Sequence, residues 1–517
     1  MKLGEIPFAA AERAPEALAI VDGDLRRCWR EWRDDIARTA GGLAGMGLGR
    51  GDHCACIMPN RYEMATAYFA CQILGAIFTP FNWRATVEEI AYVLEDAEAV
   101  LILIDEDAAP AARKAAQNSG IERIVSIAGG AEETPFAELL EAEPVKPRPS
   151  IKDDDICLML YTSGTTGRPK GVPRSISAER TAAMACIAQL RYRAGERSLG
   201  VMPLFHTMGI RVLLMTALIG GAWVNMRRFD PAGAVGLIAA ENINALFLVP
   251  TMFHDMLGCP EFADAGTGSV RNVAYAGMAM TSTLERRLAA AFMPDVFANY
   301  YGSSEIFTFS YCDDLAAKPG SAGRAGMGQV LRIVRADAGG TVSGDDIVPQ
   351  GEIGEVVATM NSAEAFSGYW KCPDADRKAI RDGWYFTGDL GYFDEDGALF
   401  LCGRVDDMII SGGENIHPEE VEDTLAASGL VGMAAVVGET DERWGQKVVA
   451  YIEPVSAEAS AVLLDVHCRE SALAGFKRPR KYVFVEKIPV SASGKLLRRL
   501  LREGDYVALE GYETALE

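Results

Sequence analysis

The residues Tyr161–Gly171 (YTSGTTGRPKG) bring hydroxyls, glycines and one lysine together directly after an apolar segment, ICLML. Glycine lets a backbone turn its N–H groups toward an anion, hydroxyls add donors, and a lysine adds positive charge. This composition predicts a loop that binds a polyphosphate. The contributing residues are Thr162, Ser163, Gly164, Thr165, Thr166, Gly167, Lys170 and Gly171.

The spacing in this loop excludes the P-loop of nucleotide triphosphatases. That motif needs Gly-Lys followed by Ser or Thr, whereas here Pro169 precedes Lys170 and Gly171 follows it. Taken alone, the segment could also be a glycine- and threonine-rich surface loop without a ligand. Other segments of the chain decide between these two interpretations.

Five further motifs follow the loop in order. Together the six resemble the adenylate-forming superfamily, which includes acyl-CoA synthetases, adenylation domains of peptide synthetases and firefly-type luciferases. An ordered set of six motifs is hard to reach by chance, and the C-terminal ones resemble 4-chlorobenzoate:CoA ligases in particular. The five are PLFHTMG (203–209), NYYGSSE (299–305), WYFTGDLG (384–391), GRVDDMIISGGENIHPEEVE (403–422) and SASGK (491–495).

The resemblance implies that Mg-ATP activates a carboxylic acid, giving acyl-AMP and pyrophosphate. Lys495 is then the lysine that reaches the acid and the α-phosphate, Glu305 is the Mg²⁺ ligand, and Tyr301 stacks on adenine. Ser304 stands where most relatives have Thr and keeps the hydroxyl. The other implied nucleotide contacts are Ser304 to the α-phosphate, Gly277 to the adenine, and Asp389 and Arg404 to the ribose.

A second half-reaction needs a thiol, and the same resemblance implies coenzyme A. Trp444 and Phe476 would flank its adenine, and Gly413 would leave room for the pantetheine arm. A basic segment, FKRPRKY, on a protein of net charge −22 fits an anionic cofactor, although a solvated basic loop is the alternative. The arginines expected at the CoA phosphates are Arg84, Arg478 and Arg480.

The acyl pocket is also placed by resemblance. His206 would be the gate between acyl pocket and thiol tunnel, and Tyr300 replaces a residue that is often small. A bulky ring there predicts a short pocket for a compact aryl, cyclic or short- to medium-chain acid. Arg211 could bind the second carboxylate of a diacid or extend to the surface. The residues expected to line the pocket are His206, Phe247, Met278, Tyr300, Gly302 and Phe307.

A chain of 517 residues exceeds what one hydrophobic core supports, so at least two domains are expected. Helical patterns alternate with short apolar runs, which predicts an α/β fold. The resemblance implies a large multi-layer N-terminal AMP-binding domain, residues 1–403, and a small mobile α+β lid, residues 404–517. The hinge would be Asp406.

Composition limits the classes of binding partner and the cellular compartment that we expect for this protein. The net charge of −22 argues against nonspecific binding to nucleic acid or to anionic membranes. The longest apolar run, Val212 to Met226, is too short to span a bilayer and predicts a buried helix and strand. Eleven cysteines without metal-type spacing indicate reduced thiols and a cytoplasmic protein.

These observations favour an AMP-forming acid:CoA ligase whose partners are a small carboxylic acid, Mg-ATP and CoA. Three alternatives share the adenylation residues: a ligase for longer fatty acids, a stand-alone adenylation enzyme that loads a carrier protein, and a luciferase-like oxygenase. The oligomeric state is open, with a homodimer as one option.

Overall fold

The computed structural model describes residues 1–130, 132–162, 168–336, 341–412, 414–490 and 496–512. The helices are α1 (Ile6–Arg13), α2 (Trp29–Gly45), α3 (Tyr62–Leu74), α4 (Val87–Asp96), α5 (Ala109–Asn118), α6 (Phe136–Leu139), α7 (Ile176–Gln189), α8 (Thr207–Leu218), α9 (Pro231–Glu241), α10 (Pro250–Gly258), α11 (Ser282–Phe292), α12 (Pro373–Ala379), α13 (Pro418–Ala426), α14 (Ala461–Glu470) and α15 (Arg498–Glu503).

The strands follow the same chain order. They are β1 (Leu18–Asp22), β2 (Leu25–Cys28), β3 (His53–Ile57), β4 (Ile77–Phe81), β5 (Ala99–Ile104), β6 (Ile124–Ser126), β7 (Thr134–Pro135), β8 (Ile156–Thr162), β9 (Lys170–Ser175), β10 (Arg197–Gly200), β11 (Ala222–Asn225), β12 (Ala245–Leu248), β13 (Asn272–Ala276), β14 (Val296–Tyr301), β15 (Ser310–Cys312), β16 (Arg324–Ala325), β17 (Leu331–Val334), β18 (Gly354–Thr359), β19 (Ile380–Arg381), β20 (Trp384–Phe393), β21 (Leu399–Arg404), β22 (Ile409–Ser411), β23 (Glu414–Ile416), β24 (Val431–Asp441), β25 (Gly445–Pro454) and β26 (Lys481–Phe484).

One sheet has the strand order β7-β6-β5-β3-β4-β8-β9 and is parallel except for the β8–β9 hairpin. Every residue of β3 and β4 is buried, as expected for parallel strands covered on both faces. The hairpin places β9 at the end of the order. Pro173 lies in β9, where a missing backbone N–H is tolerated because the strand pairs on one side.

A second sheet has the order β16-β15-β14-β13-β12-β10-β11-β1-β2. Strands β10 and β12 to β14 are parallel, so their carboxyl ends share one edge. Ala276 at the end of β13 pairs with Tyr300 near the end of β14. This edge is where open α/β sheets bind ligands, because the loops that leave it are free to vary.

Local chemistry sets where the helices begin and end. The Ser175 hydroxyl accepts a hydrogen bond from the backbone N–H of Ala178 at 3.1 Å and so caps α7 directly after β9. Gly75, with φ of 74°, ends α3 in the left-handed conformation. The predicted helix and strand over Val212–Met226 are confirmed by α8 and β11.

The chain divides into two compact units. The first contains Met1–Val330 and Met360–Arg377, and the second contains Leu331–Thr359 and Lys378–Glu517. The α/β class with a large N-terminal part and a smaller C-terminal part is confirmed. The predicted boundary at residue 403 lies inside the second unit, within β21, and stays a prediction.

The described residues of the second unit form two sheets. In one, β17-β18-β20-β19 pair in order and β21 joins β20; in the other, β23-β22-β25-β24 pair in order and β26 joins β25. In the described ranges, no helix is long and apolar enough to cross a membrane.

Candidate active site

The predicted polyphosphate loop connects the two strands of an antiparallel hairpin. Thr162 at the end of β8 pairs directly with Lys170 at the start of β9, so both stand at the base of the loop. Ser163, Gly164, Thr165, Thr166 and Gly167 lie outside the described residues. The hairpin register therefore supports the predicted positions of Thr162 and Lys170 at the loop.

Glu305 follows β14 in a tightly fixed turn and is 7% exposed. Its carbonyl accepts hydrogen bonds from the Arg174 guanidinium at 2.6 Å and from the Phe366 N–H at 2.9 Å. The Ser303 hydroxyl accepts a hydrogen bond from the Glu305 N–H at 3.2 Å. These contacts fix the backbone, so the carboxylate has a defined direction.

Tyr369 is a site residue that the sequence analysis missed. Its hydroxyl donates to the Glu305 carboxylate at 2.7 Å, and the Lys170 ammonium lies 5.3 Å from the centre of its ring. The tyrosine therefore connects the lysine of the phosphate loop to the expected Mg²⁺ ligand. The signal available in sequence was the aromatic run GYW at 368–370, which has no motif partner nearby.

The shared edge of β10 and β12 to β14 collects several predicted residues. Gly277, with φ of 91°, follows β13, and Tyr301 ends β14 one position beyond the paired Ala276 and Tyr300. His206 follows β10 and immediately precedes α8. Ser304 is half-buried in the turn after β14. The predicted adenine, phosphate and gate residues thus leave one edge of one sheet.

Gly302 has a steric reason to be glycine. A Cβ atom built there would lie 1.7 Å from the carbonyl oxygen of Phe307, far inside contact distance. The turn between β14 and Glu305 folds back on itself at this point, and the Ser303 N–H donates to the Ile306 carbonyl at 2.9 Å. This close approach is what brings Glu305 and Phe307 near the end of β14.

The predicted acyl-pocket aromatics form one cluster. Phe247 lies 5.3 Å from Tyr300 and 6.4 Å from Phe307, measured between ring centres, and all three are buried. Gln189 of α7 donates its side-chain amide to the Tyr300 hydroxyl at 2.8 Å, and its carbonyl oxygen accepts from the Met327 N–H at 2.8 Å. Tyr300 is therefore fixed in place at both its ring and its hydroxyl.

Two other predicted pocket residues lie in the segments that follow β13 and β10. Met278 is half-buried in the segment after β13. His206 is half-buried, and its ring lies 4.6 Å from that of Phe205.

Burial raises the pKa of the Tyr300 hydroxyl well above its usual range, so this group is a neutral phenol.

Arg211 behaves differently from expectation. The idea that it extends to the surface is wrong, because it is 0% exposed. Its guanidinium donates to the Glu179 carbonyl at 2.5 Å and to the Glu179 carboxylate at 3.1 and 3.2 Å, and lies 4.5 Å from the centre of the Phe307 ring. A carboxylate of the protein already occupies it, which argues against a role in binding a diacid.

The two predicted ribose residues are brought together by strand register. Asp389 in β20 pairs with Arg404 in β21, and the Arg404 guanidinium forms an ion pair with the Asp389 carboxylate. Gly388, with φ of 72°, sits where a Cβ would lie 2.8 Å from the guanidinium. Both polar groups therefore point to one side of the sheet in the second unit.

The predicted hinge residue Asp406 lies among the described residues, whereas the predicted catalytic lysine does not. Asp406 is exposed in a short 3₁₀ helix, Val405–Asp407, which is compatible with a pivot but does not test one. Lys495 lies outside the described residues, as does Gly413. Their roles stay predictions.

The predicted CoA residues of the second unit lie around β25 and β26. Trp444 and Phe476 are each 43% exposed, so both rings are accessible from solvent. Arg480 donates its backbone N–H to the Val448 carbonyl at 2.8 Å, and Val448 lies in β25, four residues after Trp444. Arg478 forms an ion pair with Asp465 at 3.3 Å.

Arg84 is exposed in the first unit. Its guanidinium lies 3.9 Å from the centre of the Trp83 ring, and that of Arg228 lies 4.7 Å from the same ring. Burial and the neighbouring Arg228 lower the pKa of Arg84. Two adjacent cations repel each other and favour an anion beside them, as the predicted phosphate contact requires.

The metal prediction rests on one carboxylate. No group of three or more His, Cys, Asp or Glu side chains among the described residues is arranged to hold a metal ion. Magnesium in phosphoryl-transfer sites is usually bound by one or two carboxylates together with substrate phosphates and waters. Glu305 fits that kind of site, in which the ion arrives with ATP.

Comparison with known proteins covers nearly the whole chain. The family model described as AMP-binding enzyme matches residues 8–370, and the model of the AMP-binding enzyme C-terminal domain matches residues 420–495. A 4-chlorobenzoate–CoA ligase of an Arthrobacter species is 34% identical over 506 residues, 96% of this chain and 94% of that protein.

A long-chain-fatty-acid–CoA ligase of Mycobacterium tuberculosis is 31% identical over 483 residues, 93% of each chain. Among solved structures, an anthranilate CoA ligase in complex with anthranoyl-AMP superposes with a TM-score of 0.88 at 27% identity, covering 98% of this chain and 97% of that one. The relatives share a reaction class and differ in the acid they are named for.

Proposed function

This chain belongs to the AMP-binding enzyme family and is an AMP-forming acyl-CoA ligase, and we propose that it activates a compact aryl, cyclic or short- to medium-chain carboxylic acid. The observation that carries the substrate proposal is the Tyr300 ring, fixed by Gln189 and packed against Phe247. A ring held in this way closes the space that a long chain would need.

In the first half-reaction the acid carboxylate attacks the α-phosphorus of ATP and pyrophosphate leaves. Thr162, Lys170 and the loop they bracket bind the phosphates, and Lys495 bridges the acid and the α-phosphate. Glu305 would hold the Mg²⁺ that neutralises phosphate charge. Tyr369 keeps the Glu305 carboxylate and Lys170 in a fixed relation.

In the second half-reaction the CoA thiol attacks the acyl carbonyl and AMP leaves. The lid turns about Asp406 between the two steps. Trp444 and Phe476 bind the CoA adenine, and Arg84, Arg478 and Arg480 bind its phosphates. The exposure of the Trp444 and Phe476 rings, and the position of Arg84 and Arg228 over the Trp83 ring, support this assignment. All eleven cysteines are unpaired thiols, which fits a cytoplasmic enzyme.

The test is pyrophosphate release with benzoates, cinnamates, and alicyclic, short-, medium- and long-chain acids and diacids, each with and without CoA. We expect turnover with one compact class that requires CoA. Fastest turnover with long-chain acids would replace the proposal by the fatty-acid alternative, and turnover that CoA does not stimulate would favour carrier-protein loading.

A matched pair of variants tests the role of Tyr300. Tyr300→Ala opens the pocket, so the preferred acid should become longer and kcat/KM for the original acid should fall at least about tenfold. Tyr300→Phe keeps the ring and loses the Gln189 hydrogen bond, and should keep the original preference. An unchanged acid preference in Tyr300→Ala would contradict the proposal that Tyr300 lines the acyl pocket.

A further inference from the structure

Arg498, the first residue of α15, is a buried arginine that faces three carboxylates. Its guanidinium lies 3.3 Å from the Asp407 carboxylate, 3.0 Å from that of Glu419 and 2.8 Å from that of Glu422. The side chain is 10% exposed. Glu419 and Glu422 lie three positions apart on α13, so they present both carboxylates on one face. We call these four residues the Arg498 cluster.

The cluster carries more negative than positive charge. Arg502 also binds Asp407, at 2.9 Å, which gives two arginines for three carboxylates. Burial raises the pKa of Glu422 to about 7, and Glu419 adds to the effect although Arg498 opposes it. Buried ionic groups contribute little net stability compared with apolar packing, so their arrangement calls for another role.

Arg498 sits where the chain leaves the segment that contains Lys495. The Leu497 N–H donates to the Pro489 carbonyl at 2.9 Å, and Val490 pairs with Leu496 in an isolated bridge. These contacts close the base of residues 491–495, which lie outside the described residues. Arg498 directly follows Leu497. Its ion pairs therefore connect these flanking residues to Asp407, Glu419 and Glu422.

These contacts reach residues on both sides of the predicted hinge, Asp406. Asp407, bound by Arg498, follows Asp406 directly. At the other end, a Cβ built on Gly403 would lie 2.2 Å from a carboxylate oxygen of Glu419, so Glu419 packs closely against the Gly403 backbone. The cluster thus links the base of the lysine segment to residues 403–407.

We propose that Arg498 is a positioning residue for adenylation, which connects the residues that flank the Lys495 segment to residues 403–407. This inference rests on the proposed function of Lys495. A displacement of about 1 Å at a catalytic group costs on the order of 100-fold in rate, so loss of this anchor should have a large effect on the step that uses the lysine.

The experiment measures the two half-reactions separately in full-length Arg498→Ala. Pyrophosphate release from acid and ATP should fall by about 100-fold in kcat, while thioester formation from supplied acyl-adenylate and CoA should stay within about threefold. Arg498→Lys keeps the charge but loses the planar fork, so adenylation should fall to an intermediate level. If Arg498→Ala does not fold, the Arg498→Lys variant still tests the inference.

Arg499→Ala is the matched control. Arg499 is the next residue, its side chain is 58% exposed, and its described partner is Glu503 at 2.8 Å. Both half-reactions should be unchanged. Equal loss of both half-reactions in Arg498→Lys, or unchanged adenylation in a folded Arg498→Ala, would overturn the inference.

Lys495→Ala, assayed alongside, separates this inference from the proposed function. Normal adenylation by Lys495→Ala would refute the role given to the lysine itself. If Lys495→Ala loses adenylation and Arg498→Ala keeps it, the lysine role stands and the anchoring role fails.

Discussion

Two buried clusters of arginines and carboxylates, one in each unit, shift the pKa of a glutamate in opposite directions. In the first unit, Arg174 and Arg211 share Glu179, and all three side chains are 0% exposed. Burial alone would raise the pKa of Glu179, but the two arginines outweigh it and lower that pKa. In the Arg498 cluster the carboxylates are in excess, and the pKa of Glu422 rises to about 7.

Burial raises the pKa of both carboxylates, and the difference teaches that the ratio of charges decides whether the neighbouring arginines outweigh it. The Glu179 cluster remains fully ionised at neutral pH and packs behind Phe307 in the pocket region. In the Arg498 cluster the raised pKa of Glu422 lies near neutral pH, and Asp407 of this cluster follows the predicted hinge residue Asp406. One is a fixed support and the other can respond to pH.

The largest effect is expected from Glu179→Ala. Removing this carboxylate leaves two buried guanidinium groups without their shared partner, which should destabilise the protein by about 3–5 kcal/mol. Urea unfolding followed by tryptophan fluorescence measures it. Glu285→Gln is the control, because the described hydrogen-bond partner of Glu285 is the neutral Tyr275 hydroxyl at 2.7 Å. A loss for Glu179→Ala no larger than the control's would contradict the comparison.

A smaller, pH-dependent effect is expected from Glu422→Gln. Since the pKa is raised from 4.5 to about 7, the folded protein binds more protons than the unfolded chain between these values. Stability of the wild type should therefore fall as pH rises through this window, by at most about 3 kcal/mol from this group. The variant should lack that slope.

Thermal unfolding of wild type and Glu422→Gln from pH 4.5 to 8 checks this expectation. The difference between the two melting temperatures should move in favour of the variant as pH increases. Parallel pH profiles would mean that Glu422 is ionised throughout, and the two clusters would then be electrostatically alike.

The smallest effect is expected at the surface. Asp153 binds two cations, Lys2 at 2.7 Å and Arg180 at 2.9 Å, as Glu179 does, but its side chain is 51% exposed. Asp153→Ala should cost less than about 1 kcal/mol because water and salt screen exposed pairs. Urea unfolding at low and at high salt measures this. A loss comparable to that of Glu179→Ala would show that charge count matters more than burial.

Much of the fold could be predicted from sequence because the relevant signals are local. Thr162 and Lys170 pair across one hairpin, and the α3 helix and the β3 strand follow their own hydrophobic patterns. Asp389 and Arg404, assigned separately to the ribose, prove to be direct partners across β20 and β21.

The sequence analysis failed where a partner is distant in the chain. Arg211 lies on an apolar helix, so surface exposure was a reasonable expectation, but its carboxylate partner is 32 residues earlier on α7. Tyr369 was missed because it contacts Glu305 across 64 residues. Arg498 lies in a charged run, LLRRLLRE, that reads as a solvated helix, and nothing local separates it from the exposed Arg499.

The position of β9 at the margin of its sheet bears on aggregation. A strand at a sheet margin can recruit a strand from another chain, yet the phosphate loop must be open to a nucleotide. Pro173 has no N–H to donate, and the Trp370 N–H already donates to the Gly171 carbonyl at 2.8 Å. These two features leave β9 with fewer free backbone groups on which another chain could add a strand, although it borders the predicted phosphate loop.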